Sequence, residues 1–288
     1  MSGVGYLVLG RGRIAPSRRG TSVRAGVRPT TGGYLVFGGK LIDLLKSAAN
    51  GLIDLIYPPV CLVCGEALES GALCGGCECQ FKPITPPFCD RCGEPVSVGR
   101  IVCKRCESGP GPSYDWAQAA FQYDGSMLRA IHRFKYDGKS VLAERLGVLL
   151  AQSMDAKTSL QDTTRHTDLP AFDMLIPVPL HPSRLRRRGF NQAERLAHVI
   201  GRERKLLVVS NAVLRVRRTP TQTARSQEMR AANVRGAFRI VNPDLFVRKA
   251  VLIVDDVLTS TSTVRELART ISQAGASRVC VIALAQSV

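Results

Sequence analysis

Four Cys-x2-Cys pairs crowd one short stretch of this chain: Cys61/Cys64, Cys74/Cys77, Cys89/Cys92 and Cys103/Cys106. Each pair can form a tight knuckle that presents two thiolates to one ion, and two knuckles complete a tetrahedron. Gly65 and Gly93 each follow a knuckle by one residue, where a chain turning back around a metal needs positive φ. A redox Cys-x2-Cys centre and a disulfide framework are the competing explanations. Four pairs at this density disfavour redox catalysis, and no good secretory signal opens the chain, so a reducing cytoplasmic setting is expected. There a cysteine cluster means metal ligands, and the two consecutive sets predict two structural Zn²⁺ sites. A closed four-thiolate site leaves no coordination position for water, so neither is expected to be catalytic. Cys79 competes with Cys77 as a ligand by spacing, whereas Cys280, set among Val279, Val281 and Ile282, is expected in the core.

Residues 1–40 are rich in Gly, Arg, Ser and Thr without periodicity and are expected to be a disordered basic tail. Their acid-poor, Arg-rich character also resembles an organelle transit peptide, or a translation start set too far upstream. Leu41, Leu44, Leu45, Ala48, Leu52, Leu55 and Ile56 recur at helical steps. They predict an amphipathic helix within 41–59, stopped by Pro58 and Pro59. The cysteine module spans about 60–108 and ends in the linker Gly109–Pro112.

From 113 to 288 strands and helices alternate. Strands are predicted at Trp116–Tyr123, Met174–Val178, Ala212–Val216, Ala250–Val254 and Arg278–Ala285. Helices are predicted at Met127–Phe134, Val141–Met154, Asn191–Arg204 and Val264–Ala274, with polar loops at Thr158–Leu169 and Pro220–Gly236. Near-continuous Val/Ile/Leu in the last strands argues for an α/β fold whose mostly parallel sheet is covered on both faces. No apolar run approaches the roughly 18–20 residues that cross a bilayer, so no membrane span is expected. The net charge of +17 is local: residues 1–42 hold seven Lys+Arg and no acid, and residues 184–239 hold fifteen against three acids. Such concentration suits a site that meets phosphate; a solvated basic face is the plainer alternative.

The stretch Ala250-Val-Leu-Ile-Val-Asp255-Asp256-Val-Leu-Thr259-Ser260-Thr261-Ser262-Thr263 delivers two carboxylates to the end of a buried strand. A hydroxyl-rich loop and a helix follow. Ligands of open α/β sheets bind at this edge, and the N-terminal end of a helix suits a phosphate. Adjacent carboxylates suit ribose hydroxyls or a hard cation such as Mg²⁺. Thr263-x-x-Glu266 also has capping-box spacing, which would give Thr263 a purely structural role.

This strand, acidic pair and Thr/Ser loop resemble the phosphoribosyl pyrophosphate (PRPP) motif of type I phosphoribosyltransferases. With the cysteine module in front, the chain resembles the ComF family, competence-protein-like phosphoribosyltransferases with an N-terminal double zinc ribbon. Matching segments are Phe134-Lys-Tyr-Asp-Gly-Lys139, Pro177-Val-Pro-Leu-His181, Arg188-Gly-Phe-Asn-Gln-Ala193 and Asn233-Val-Arg-Gly-Ala-Phe238, so the resemblance covers about 41–286. It implies that Asp255 and Asp256 hold the ribose hydroxyls of PRPP, directly or through Mg²⁺, and that Thr259, Ser260, Thr261, Ser262 and Thr263 cradle the 5′-phosphate. It puts Pro179–Gln192 in the place of the pyrophosphate loop, with Arg188 as its charge. It makes 218–235 the region that closes over the site, with Arg230 and Asn233 as the matched residues.

One departure stands out. The family pattern has glycine where Thr261 stands, and a β-branched residue at positive φ is an outlier. Either this loop takes another conformation or phosphate binding is weakened. Three functions therefore stay open: a phosphoribosyltransferase with an unidentified acceptor, a non-catalytic PRPP sensor, and a protein that binds nucleic acid or works with DNA-uptake machinery. Against the last, residues 60–108 carry five basic and six acidic side chains, and the chain has one Trp to offer as a stacking platform.

Overall fold

The computed structural model describes residues 58–109, 111–158, 171–218, 232–259 and 261–287. The expected tail 1–40, nearly all of the helix expected within 41–59, the polar loop after Thr158, Ser260 and Arg230 lie outside the described residues.

Four parallel strands form the central sheet: β1 (Trp116–Gln122), β2 (Met174–Pro177), β5 (Ala250–Leu258) and β6 (Arg278–Gln286), in the order β1-β6-β5-β2. Two short strands, β3 (Val213–Arg215) and β4 (Phe238–Ile240), pair antiparallel beside it. The helices around the sheet are α3 (Gly125–Tyr136), α4 (Leu142–Thr158), α5 (Pro182–Arg188), α6 (Gln192–Arg204) and α7 (Ser262–Gln273); α1 (Gly75–Cys79) and α2 (Lys104–Ser108) belong to the cysteine module.

Strand side chains alternate between faces, and the core divides accordingly. Leu252, Val254, Cys280, Ile282 and Leu284 pack with Phe134 and Ile131 of α3, Leu146 of α4 and Leu196 of α6. Val251, Ile253, Val279, Val281 and Ala283 pack on the other face with Leu267 and Ile271 of α7 and with Val213 and Phe238 of the β3–β4 pair. Both faces are thus covered, which is why these strands read as continuous apolar runs. Cys280 is fully buried, as expected.

The cysteine module covers the outer edge of β1. Ile84 N–H donates to the Ala120 carbonyl (2.9 Å), and Gln122 N–H donates to the Lys82 carbonyl (2.8 Å). Further along, Ala117 N–H donates to the Arg91 carbonyl (3.0 Å). Gly93 sits so close that a Cβ there would lie 2.5 Å from the Ala117 carbonyl oxygen. An unpaired sheet edge is a template for aggregation, and here the module caps it.

Some elements differ from expectation, strand β4 among them. The segment 179–192 contains helix α5, which has no apolar stripe but is bracketed by Pro182 in its first turn and by Gly189 at φ 80 as its C-cap. Strand β5 continues to Leu258, beyond the aspartates, because β6 keeps pairing with it: Asp255 is registered with Ala283 and Leu258 with Gln286.

Candidate functional site

The thiols gather as the spacing requires. Cys61, Cys64, Cys74 and Cys77 form one cluster and Cys89, Cys92, Cys103 and Cys106 the other, with all four sulfurs of each within 4.8 Å of one another. Cys64 and Cys74 Sγ lie 3.6 Å apart, as do Cys92 and Cys103 Sγ. Four thiolates at about 2.3 Å from a central Zn²⁺ would be roughly 3.8 Å apart, so the donor set and its size fit that ion. Backbone N–H groups point at the sulfurs, including Cys74 to Cys61 (3.4 Å) and Cys77 to Cys74 (3.3 Å). Burial alone would raise the Cys61 thiol, but the N–H groups of Cys64, Cys74 and Val63 outweigh it and bring it down to about 6. Cys79 is exposed and outside the cluster, which settles its competition with Cys77. Gly65 and Gly93 take φ 84 and 70.

The acidic pair lies where the sheet opens. Strand β2 stops at Pro177, opposite Val254, and Val178 N–H makes the last bond across, to the Val254 carbonyl (2.9 Å). The next two residues of β5 are Asp255 and Asp256, flanked on one side by β6 and on the other by a notch. Alternation along β5 sends their side chains to opposite faces. Asp256 meets Lys135 of α3, Nζ to Oδ1 2.9 Å, with side-chain exposures of only 14% and 12%. Asp255 faces the field of Arg215 on β3 and accepts the Asp256 N–H (2.8 Å). Burial, then the Asp256 charge, raises the Asp255 carboxyl to about 7, against the opposing pull of Lys135.

Cations wall the notch. Burial, followed by the charge of Arg184, lowers the Arg215 guanidinium to about 10. Arg184 is lowered first by burial and then by Arg188 and Arg187, so several guanidinium groups share one field. Arg188 lies 5.2 Å over the Tyr136 ring and donates through Nη1 to Gln192 Oε1 (2.9 Å). Its Nε, and the Nε2 of Gln192, are buried with no partner among the described residues. The rest of the Arg188–Ala193 segment aims that arginine. Phe190 packs on Phe134 (5.5 Å), and Asn191 Nδ2 donates to the Val178 carbonyl (3.1 Å), tying the end of α5 to the end of β2. His181 caps α5, accepting from Ser183 N–H (3.2 Å).

The loop after β5 closes on α7, which begins at Ser262 with Thr261 as N-cap. Thr261 sits at φ 55, ψ −3, in the left-handed region, at a cost of about 1–2 kcal/mol for a residue with a Cβ. It is buried. The capping box does not form. Thr263 lies inside the helix, and Glu266 accepts Gly236 N–H (2.7 Å) and pairs with Arg269. Thr259 is exposed, and Asn233 is half-buried in a helical turn at 232–234 beside the residues not described. Lys135, Arg184 and Arg215 carry much of the site's charge, although none of them was singled out from the sequence; Lys135 and the neighbouring Tyr136 stood within one of the matching segments.

A double zinc ribbon domain family matches residues 52–107. Competence protein F of Haemophilus influenzae is 30% identical over 230 residues, which is 79% of this chain and 96% of that protein. The chain belongs to the ComF family. Two other ComF relatives are the DNA utilization protein YhgH of Escherichia coli K12 (32% over 236 residues, 81% of this chain and 99% of that protein) and Competence protein ComFC of Streptococcus pneumoniae (24% over 235 residues, 76% and 96%). Among solved structures, the chain is similar to the glutamine PRPP amidotransferase of B. subtilis complexed with ADP and GMP. The identity is 20% and the TM-score 0.31, over 50% of this chain and 26% of that one, so the chain spans about a quarter of that neighbour's length. The ComF assignment therefore rests on the sequence relatives, and the α/β class on the parallel sheet between helices with two four-cysteine sites in front. No described helix is long and apolar enough to cross a membrane.

Proposed function

We propose that the notch between β2 and β5 binds PRPP with Mg²⁺ and transfers its phosphoribosyl group to an acceptor. The observation that carries this is a desolvated carboxylate pair in the same cluster of elements as a buried Arg188 donor that has no partner among the described residues. A buried guanidinium N–H without an acceptor is costly, and an anion entering the notch would relieve it.

Asp255 and Asp256 accept hydrogen bonds from the ribose 2′- and 3′-hydroxyls, and Lys135 keeps the Asp256 carboxylate balanced in its buried position. The loop Thr259–Thr263 offers N–H groups and hydroxyls, backed by the positive end of α7, to the 5′-phosphate. Arg188, with Arg184 and Arg215 behind it, binds the pyrophosphate end, and Arg230 and Asn233 belong to the segment that closes over the site. The acidic pair offers hard oxygen donors that suit Mg²⁺, which when bound would neutralise pyrophosphate charge. Breaking the anomeric C–O bond builds positive charge on the sugar ring, as in glycoside cleavage. The protein's work is then positioning, charge neutralisation of the leaving group and exclusion of water.

Isothermal calorimetry of PRPP with Mg²⁺ tests this: saturable binding that Asp255→Asn removes is the expected result. The relatives' names favour a second reading, in which the exposed Arg186 and Arg187 of α5 contact a nucleic-acid backbone. DNA affinity that falls steeply with salt and survives Asp255→Asn, with no PRPP heat in the unaltered protein, would favour that reading instead.

A further inference from the structure

Arg188 and Gln192 meet across the short turn that separates α5 from α6. Gly189 ends α5 at φ 80, Phe190 packs on Phe134, and Asn191 ties the turn to the end of β2 through the Val178 carbonyl (3.1 Å). Gln192, the first residue of α6, is only 1% exposed. The turn thus brings a guanidinium and a buried amide together, Arg188 Nη1 to Gln192 Oε1 2.9 Å.

The chemistry of this contact is constrained. Arginine carries donors only, so the amide must turn its oxygen to Nη1. That leaves Gln192 Nε2 and Arg188 Nε buried without an acceptor among the described residues. The guanidinium carbon also lies 5.2 Å from the centroid of the Tyr136 ring. Neither holder is an anion: an amide and an aromatic face fix the guanidinium but leave its positive charge in place. Arg188 makes no ion pair among the described residues. Lys135, next to Tyr136 in the last turn of α3, is treated in the opposite way, since Asp256 meets its charge at 2.9 Å. A carboxylate at position 192 would bind the guanidinium more strongly than an amide does, and would cancel its charge.

We propose that Gln192 is a positioning residue: its neutral amide holds Arg188 in place without neutralising it, which leaves the whole guanidinium charge for an incoming pyrophosphate. This rests on the reading that Arg188 binds the pyrophosphate end of the ligand.

The test uses full-length protein, with inorganic pyrophosphate and ribose 5-phosphate as probes and the urea midpoint as the measure of stability. Gln192→Glu keeps the size and the acceptor oxygen and adds a charge. It is expected to hold or raise the midpoint while weakening pyrophosphate binding about tenfold, the size of one hydrogen bond to a charged group. Ribose 5-phosphate affinity should not change. Gln192→Met keeps the length and loses the amide, and should weaken pyrophosphate binding about fivefold, as for one net hydrogen bond. On an Arg188→Ala background it should weaken that binding no further, because its effect passes through the guanidinium. Unchanged pyrophosphate affinity in Gln192→Glu, or the same loss from Gln192→Met on both backgrounds, overturns the proposal. If the unaltered protein takes up no pyrophosphate, the reading of the notch as a pyrophosphate site fails instead. The midpoints of the same cycle then decide the hold itself: non-additive losses support it, and additive losses overturn it.

Discussion

Removing Lys135 probes the charge balance of the notch most severely. Its Nζ is 2.9 Å from Asp256 Oδ1, and both side chains are largely buried. At an effective dielectric of roughly 20, charges at that separation attract by about 6 kcal/mol, offset by a desolvation cost of several kcal/mol. Deleting one partner strands the other charge, and such deletions cost about 3–5 kcal/mol. Because both groups keep some contact with water, we place Lys135→Met near the lower end, at about 3 kcal/mol. For a chain of this size that is roughly 6–12 °C in melting temperature. Urea denaturation at neutral pH measures the loss directly, and adding Asp256→Asn should recover most of it, since no carboxylate is then left unpaired. A loss below about 1 kcal/mol, or one that the second substitution fails to recover, would refute the view that this pair is desolvated and interdependent.

The Asp255 carboxyl, raised to about 7 from an ordinary 3.8 chiefly by burial, should make stability fall with pH. The folded state binds the extra proton between about pH 4 and 7, so stability drops by a few kcal/mol across that window and levels off above it. Urea midpoints of Asp255→Asn should lack this slope, and parallel curves for the two proteins would contradict it. Elemental analysis should find two zinc ions per chain. Chelation should loosen the cysteine module and bare the β1 edge, which light scattering would register as self-association of an otherwise folded sheet domain; absence of zinc in the purified protein would reject both statements. Arg188→Ala should weaken pyrophosphate binding tenfold or more while leaving ribose 5-phosphate affinity unchanged, and an equal loss for both ligands would show that Arg188 does not serve the pyrophosphate end.

The parts of this protein visible in its sequence are those with a local period or spacing. The thiol clusters follow from Cys-x2-Cys pairs, and the central strands follow from Val/Ile/Leu runs that need two covered faces. Helix α5 escaped because Arg184, Arg186, Arg187 and Arg188 leave no apolar stripe, and only the Pro182 and Gly189 brackets betray it. The far end of β5 escaped because aspartates are poor strand formers, yet pairing with β6 carries the strand through them. The capping-box spacing at Thr263 misled because α7 starts earlier and Glu266 turns to Gly236 and Arg269. Lys135 and Arg215 come from α3 and β3. Their partners lie on β5, and no short-range pattern encodes such meetings. At Thr261, where the sequence left open another loop conformation or a weakened phosphate site, the residue takes positive φ and bears the strain.

A crystal structure grown with PRPP and Mg²⁺ tests the central claim most directly. The ribose is expected against Asp255 and Asp256, the 5′-phosphate on the loop that begins α7 and the pyrophosphate within reach of Arg188. An empty notch at saturating ligand, or PRPP bound at some other surface, would contradict it.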